Sequence, residues 1–278
     1  MARNVVAITG ASSGIGAAFA RKLAPTHDLI LIARRRERLE ALAAEFSRAY
    51  ETSTDILDAD LTQERDLDAA AERISAESRL ILLINNAGFG TRGRFWESPF
   101  AGQEQMHKLH VMATLRLTHA ALGNMVPPDR GGIINVASVS AFIRVPGTVS
   151  YAATKTWMTT FTEGVYLELR SAKSNVVVQA LCPGYTYSEF HDTLGVDREQ
   201  IGAPGWWLTA EEVVNASLDG LSRRKLFVIP GWRYRLLTMF LSGLPTGLRL
   251  PVEAIAGRMR PQESQVAAIS AHKTKHLE

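Results

Sequence analysis

Tyr151 and Lys155 stand four positions apart in the stretch YAATK, at the start of what reads as a long helix. That spacing projects both side chains from one helical face. A phenol of pKa ~10 is a poor acid or base near neutrality until a neighbouring cation favours its phenolate form. The two residues could therefore make a tuned proton-transfer group. The plainer reading is an amphipathic helix with a lysine reaching for solvent. What surrounds the pair decides between them.

A second chemical signature opens the chain. TGASSGIG (9–16) follows the apolar run VVAI (5–8) and leads into a helical pattern. Gly10, Gly14 and Gly16 permit a tight turn and close approach of backbone to ligand. The helix that follows offers unpaired N–H groups and a positive dipole end to a pyrophosphate. Ser12, Ser13 and Ile15 share the turn. Its spacing is GxxxGxG, not the commoner GxGxxG; its force comes from its place between a buried strand and an Ala-rich helix. The next apolar run ends in LILIARRRER. At this strand end an acidic residue binds a ribose 2′-hydroxyl, whereas an arginine accommodates a 2′-phosphate. Arg34 and Arg35 therefore predict NADP(H) over NAD(H). The competing reading, a solvated basic start to a helix, sets those arginines against the helix dipole.

The elements that must position these groups alternate along the chain. The runs at 5–8, 29–32, 80–84, 132–136 and 176–181 lack in/out alternation and suit strands covered on both faces. TSTDILDA (52–59) fills the place of a third strand. Helical periods lie between them, at 15–24, 37–50, 63–77, 100–126 and 151–172. The pattern predicts an α/β fold, a doubly wound parallel sheet of Rossmann type with helices on both faces. Residues 1–231 are expected to form one dinucleotide-binding and catalytic domain. Within it, 184–208 is irregular and reads as a substrate lid, and Thr209 with Glu212 reads as a capping box. LFVIPG (226–231) is a last strand, residues 232–276 form a C-terminal helical extension, and the final Leu-Glu (277–278) reads as a cloning remnant.

With these motifs in place, the chain resembles the short-chain dehydrogenase/reductase family over roughly residues 4–230. TGASSGIG matches that family's cofactor turn, and DADL (58–61) its adenine-contacting Asp, here Asp60 with Leu61 beside it. NNAG (85–88) matches the central-strand motif with Asn86, Ala87 and Gly88. INVASVSA (134–141) matches the serine segment, YAATK the Tyr/Lys pair, and CPG (182–184) the loop over the nicotinamide. The resemblance implies that Tyr151 exchanges a proton with a carbonyl or alcohol oxygen. It gives Ser138, thirteen residues earlier, the hydrogen bond to that oxygen. Lys155 would lower the Tyr151 pKa and bind the nicotinamide ribose, while Pro183, Gly184 and Thr186 would contact the cofactor. Singly, plainer roles compete: Ser138 as a strand-end cap, Asp60 as a helix N-cap.

One departure stands out. The family places an asparagine in the helix after NNAG, where it helps hold a water for proton relay; here HVMATLRLTHAAL puts His110 at that position. Imidazole also relays protons and titrates near neutrality. His110 is thus a candidate catalytic residue, or the mark of a slow or inactive NADP(H)-binding scaffold. No metal site is expected, since His107, His110 and His119 have no carboxylate or cysteine at ligand spacing.

Composition sets the outer bounds. A net charge of +3 over 278 residues does not suggest a nucleic-acid partner. One cysteine, Cys182, precludes an intrachain disulfide and fits a reducing cytosol. No signal-like opening or span of ~20 apolar residues is present, so a cytoplasmic location is expected. Tyr185, Tyr187, Phe190, Trp206 and Trp207 in the lid, with Phe142 and Val145, suit a bulky apolar carbonyl or alcohol or simply pack the loop. The family implies a homodimer or homotetramer built on helices 100–126 and 151–172. The Leu-, Arg- and Trp-rich C-terminal segment could lie on a membrane surface, cover its own active site or dock on another subunit; subunit contact is the working expectation.

Overall fold

The computed structural model describes residues 3–91, 93–189 and 205–258. Phe190, most of the expected lid and residues 259–278 lie outside them. Seven parallel strands form one sheet in the order β3-β2-β1-β4-β5-β6-β7. They are β1 (Val5–Thr9), β2 (Asp28–Ala33), β3 (Thr54–Asp58), β4 (Leu80–Asn85), β5 (Gly132–Val136), β6 (Val177–Leu181) and the short β7 (Phe227–Val228). The last run thus supplies only two strand residues of the six in LFVIPG.

The side-chain period of a strand sorts each run onto two faces. Val6, Ile8, Leu29 and Leu31 pack with α1 (Gly14–Leu23), α2 (Arg36–Tyr50) and α7 (Ala210–Ser222). Val5, Ala7, Ile30 and Ile32 pack with α3 (Glu64–Ser75), α5 (Thr114–Met125) and α6 (Val149–Ser171). Both faces are covered, and this explains why the runs are apolar throughout. Thr209 and Glu212 close the expected capping box at the start of α7.

The stretch 100–126 is not one regular helix. It comprises α4 (Phe100–His107), a π-helical segment (Lys108–Ala113) and α5. Two further helices, α8 (Trp232–Gly243) and α9 (Thr246–Arg258), form the C-terminal extension. Strand order reverses between β1 and β4, so the crevice outside the carboxyl ends of these strands is the topological switch point.

Candidate active site

Each motif sits just past the carboxyl end of a strand: the glycine turn after β1, Asn86–Gly88 after β4, Ser138 after β5 and Cys182–Gly184 after β6. The glycine turn is held from below. Asn86 Nδ2 donates to the Thr9 and Gly10 carbonyls at 2.9 and 3.3 Å, and Thr9 Oγ1 accepts from the Asn86 and Ala87 N–H groups. A Cβ on Gly16 would run into the Gly10 carbonyl. Glycine at 16 is therefore what lets the start of α1 close against the turn. Ser13 stands at the N-cap of α1 with no side-chain cap bond, and no acidic residue occupies the first turn. Those N–H groups and the positive dipole end fit a pyrophosphate. Asn86 thus serves the turn through its own amide, a role the motif alone does not reveal.

Arg35 reaches over the same turn. Its guanidinium donates to Ser12 Oγ at 2.9 Å and to Ser13 Oγ at 2.8 Å. It also pairs at 2.7 Å with Glu189, which Arg38 clasps from the other side. The two arginines hold the Glu189 carboxyl down at about 2. A cleft of about 880 Å³ runs beside these groups, lined by Ser12, Ser13, Gly14, Arg38 and Glu189 among others. The Tyr151 group does not line it. Arg34 is exposed. The basic-opening reading of RRRER is also met in part, since Arg36 pairs with Glu40 along α2. Arg38 and Glu189 escaped the sequence reading because 151 positions separate them.

Asp60 is not a helix N-cap. Its Oδ1 accepts from the Thr62 N–H and hydroxyl at 3.0 and 2.8 Å, closing a turn two residues before α3, whose N-cap is Gln63. The Leu61 side chain is buried in the core.

Ser138, Tyr151, Lys155 and His110 converge. Ser138 is extended at the end of β5, its hydroxyl accepting from the Ser140 N–H at 3.1 Å. Tyr151 lies in the first turn of α6 and is hydrogen-bonded to Ser138. Burial pushes the Tyr151 phenol up to about 12, against a smaller downward pull from Ser138. The buried Lys155 ammonium donates to the Val136 carbonyl at 2.8 Å, with Nζ 5.7 Å from the Tyr151 ring centroid. Its pKa is drawn down to about 7 by burial, with Cys182 opposing the fall. In this arrangement burial dominates the Tyr151 pKa, and the hydrogen bond from Ser138 is what offsets it. The Lys155 amine itself is turned to the Val136 carbonyl.

His110 is carried by the π-helical segment, a feature often found at functional sites. Its side chain is fully buried. Thr154 Oγ1 donates to the Tyr151 carbonyl, so Nδ1–H of His110 donates to that hydroxyl at 2.9 Å. This leaves Nε2 as the acceptor, with no hydrogen-bond partner among the described residues. Nε2 sits where a side chain on Gly88 would come to 2.7 Å. The ring lies edge-on to Tyr151 at 5.9 Å. Burial first, then the Lys155 and His107 charges, hold its pKa well below the usual imidazole range. Burial therefore favours the uncharged ring.

A stability consequence follows. Unfolded His110 gains a proton below pH ~6.5 that the folded chain refuses, so this residue costs stability as pH falls. Melting profiles at pH 7 and pH 5 should show a smaller acid loss in His110→Asn than in wild type. An equal loss would place the acid sensitivity elsewhere.

The relatives fix the family. A short chain dehydrogenase model matches residues 4–199. This chain belongs to the short-chain dehydrogenase family. A 3-oxoacyl-acyl-carrier-protein reductase (FabG) of Aquifex aeolicus is 30% identical over 218 residues, 76% of this chain and 87% of its own. Among solved structures, a short-chain dehydrogenase from Sphingobium yanoikuyae in complex with NADPH superposes with a TM-score of 0.78 at 35% identity, covering 87% of this chain and 97% of that one. The bulky-bulky ketone specific alcohol dehydrogenase from Comamonas testosteroni gives 0.75 at 29%, covering 88% and 96%. As a short-chain dehydrogenase, the protein is an oxidoreductase that interconverts CH–OH and C=O with NAD(P). The turn, uncapped helix start and arginine-lined cleft described above fit such a dinucleotide. Among the described residues no helix is long and apolar enough to cross a membrane, and no three His, Cys, Asp or Glu side chains gather as metal ligands.

Proposed function

We propose that this short-chain dehydrogenase is an NADP(H)-dependent carbonyl reductase in which Tyr151 gives a proton to the substrate oxygen. The hydrogen-bonded Ser138–Tyr151 pair beside Lys155 at the end of β5 carries this reading. When bound, the nicotinamide supplies the hydride; the chain's own residues hold the substrate oxygen and manage its proton. Ser138 donates a hydrogen bond to that oxygen and stabilises the charge it acquires. Tyr151, whose phenol is held at about 12, is protonated throughout the neutral range. That is the donating form, so reduction starts from the state the site already favours. A protonated Lys155 then lies near enough to stabilise the tyrosinate left behind. His110, held neutral with Nε2 as an acceptor that has no partner among the described residues, is proposed to position a water whose proton returns to the tyrosinate and is replaced from solvent.

The substrate is read as a bulky, apolar carbonyl. Tyr185 and Tyr187 stack on Trp207 at 5.3 and 5.0 Å, and Trp206 meets Tyr234 edge-on. These rings spend part of their surface on each other and wall the loop after β6 with apolar groups. The ketone preference of the Comamonas relative supports the same class. A panel of aliphatic and aryl ketones and aldehydes incubated with NADPH tests the proposal. Oxidation of NADPH with the bulkier ketones is expected; none with any carbonyl would overturn it.

Cofactor choice rests on Arg35, with Arg38 behind it. Arg35→Asp is expected to remove the preference for NADPH over NADH in fluorescence titrations. Wild-type protein binding NADH as tightly as NADPH would refute the assignment. Glu189→Gln should tighten NADPH without tightening NADH, because it frees two guanidinium groups now spent on a carboxylate.

A further inference from the structure

Helix α8 has two apolar faces, and one of them has no partner among the described residues. Tyr234, Thr238 and Leu241 are buried. On the opposite side Trp232, Leu236, Met239 and Phe240 are 58, 51, 69 and 62% exposed. At ~100° per residue these four fall within an arc of about 100°. Arg233 borders that arc on one side and Arg235 on the other. Arg233 also lies over the Trp232 ring at 5.0 Å. Exposed Leu248, Val252 and Ile255 recur at helical spacing along α9.

We propose that this face docks the enzyme on an anionic lipid bilayer. Charge selects that occupant. From Gly231 to Arg258 the chain carries Arg233, Arg235, Arg249 and Arg258 against one carboxylate, Glu253. Glu253 is 4% exposed and turned inward, accepting from the Arg144 N–H at 3.1 Å and facing Arg249 at 3.8 Å. The exposed surface of α8 is therefore apolar and cationic, with no exposed carboxylate. Apolar side chains flanked by arginines, with a tryptophan at the boundary, are what an interfacial helix presents to headgroups and acyl chains.

The alternatives fit less well. Two copies paired about a twofold axis would bring their Arg233 and Arg235 sets together, at a repulsive cost. Rotation of this face inward over the active site is blocked. Tyr234 Oη donates to the Trp206 carbonyl at 2.7 Å and accepts from the Tyr185 N–H at 2.9 Å, and its ring packs where a Gly184 side chain would lie. Those bonds fix the inner face of α8 to the loop after β6.

Flotation of the full chain with vesicles of phosphatidylcholine alone, or with a third phosphatidylserine, tests the proposal. Wild type is expected to float with the anionic vesicles and to remain below with the neutral ones. Arg233→Gln with Arg235→Gln should weaken binding by about fivefold per arginine, and raised salt should do the same. Leu236→Glu with Met239→Glu should abolish flotation while keeping the wild-type melting temperature, since both side chains are exposed. Wild type that stays below with anionic vesicles overturns the proposal. So does an oligomer that falls apart in the Leu236→Glu/Met239→Glu variant, which would make a second copy the occupant.

Discussion

Tyr151→Phe is expected to lower kcat by about 10²–10⁴-fold while NADPH binding and melting temperature stay close to wild type. The substitution removes one hydroxyl, and that hydroxyl is the only atom of the residue assigned to the chemistry. The ring remains packed edge-on to His110. Stability changes little because the hydrogen bond it loses is to Ser138, whose hydroxyl still accepts from the Ser140 N–H. Stopped-flow hydride transfer with NADPH and a bulky ketone, set beside a binding titration, reads both quantities. A variant that turns over within threefold of wild type would place the proton donor elsewhere. Loss of cofactor binding together with turnover would instead assign Tyr151 a structural duty. The same pair of measurements on wild type separates a working enzyme from a slow cofactor-binding scaffold.

Periodicity conveys the sheet well because parallel strands buried on both faces have a distinctive composition. VVAI, LILI and GIINV lie in strands, and even the polar TSTDILDA contains β3. The ends of those strands locate Ser138, Asn86 and the glycine turn by simple continuity. Side-chain contacts across the chain are what the sequence withholds. Asn85 bonds to Asn135, its registered neighbour on β5, and Asn135 in turn to Thr162 on α6. This buried amide ladder could have been suspected from two asparagines at equivalent places in adjacent apolar strands. Nothing comparable announces Glu189, whose pairing with Arg35 and Arg38 depends on how the loop after β6 returns over α2. The π-helical turn at His110 is likewise invisible, since a one-residue bulge leaves the apolar period almost unchanged. Four residues of spacing put Lys155 near Tyr151, yet only the folded chain shows the amine spent on Val136.

That carbonyl contact leads to the second large effect, at Lys155. Lys155→Met is expected to reduce turnover by at least about 10²-fold, because it removes the cation placed beside the tyrosinate. It should also change how stability responds to pH. Burial holds the folded pKa at about 7, whereas the unfolded chain keeps a lysine near ~10.4. Between those values the unfolded state binds more protons than the folded one, so stability rises with pH. The rise is bounded at about 1.4 kcal/mol per pH unit for one proton. Below pH 7 both states hold the proton and the cost of the buried charge is constant; above ~10.4 neither does. Methionine fills a similar apolar length and cannot charge, so the variant should lose this slope and melt higher than wild type near pH 7. Chemical denaturation at pH 7, 8 and 9 measures it. Parallel slopes in the two proteins would show that the amine keeps its proton in the fold, and that its contact with Val136 outweighs desolvation.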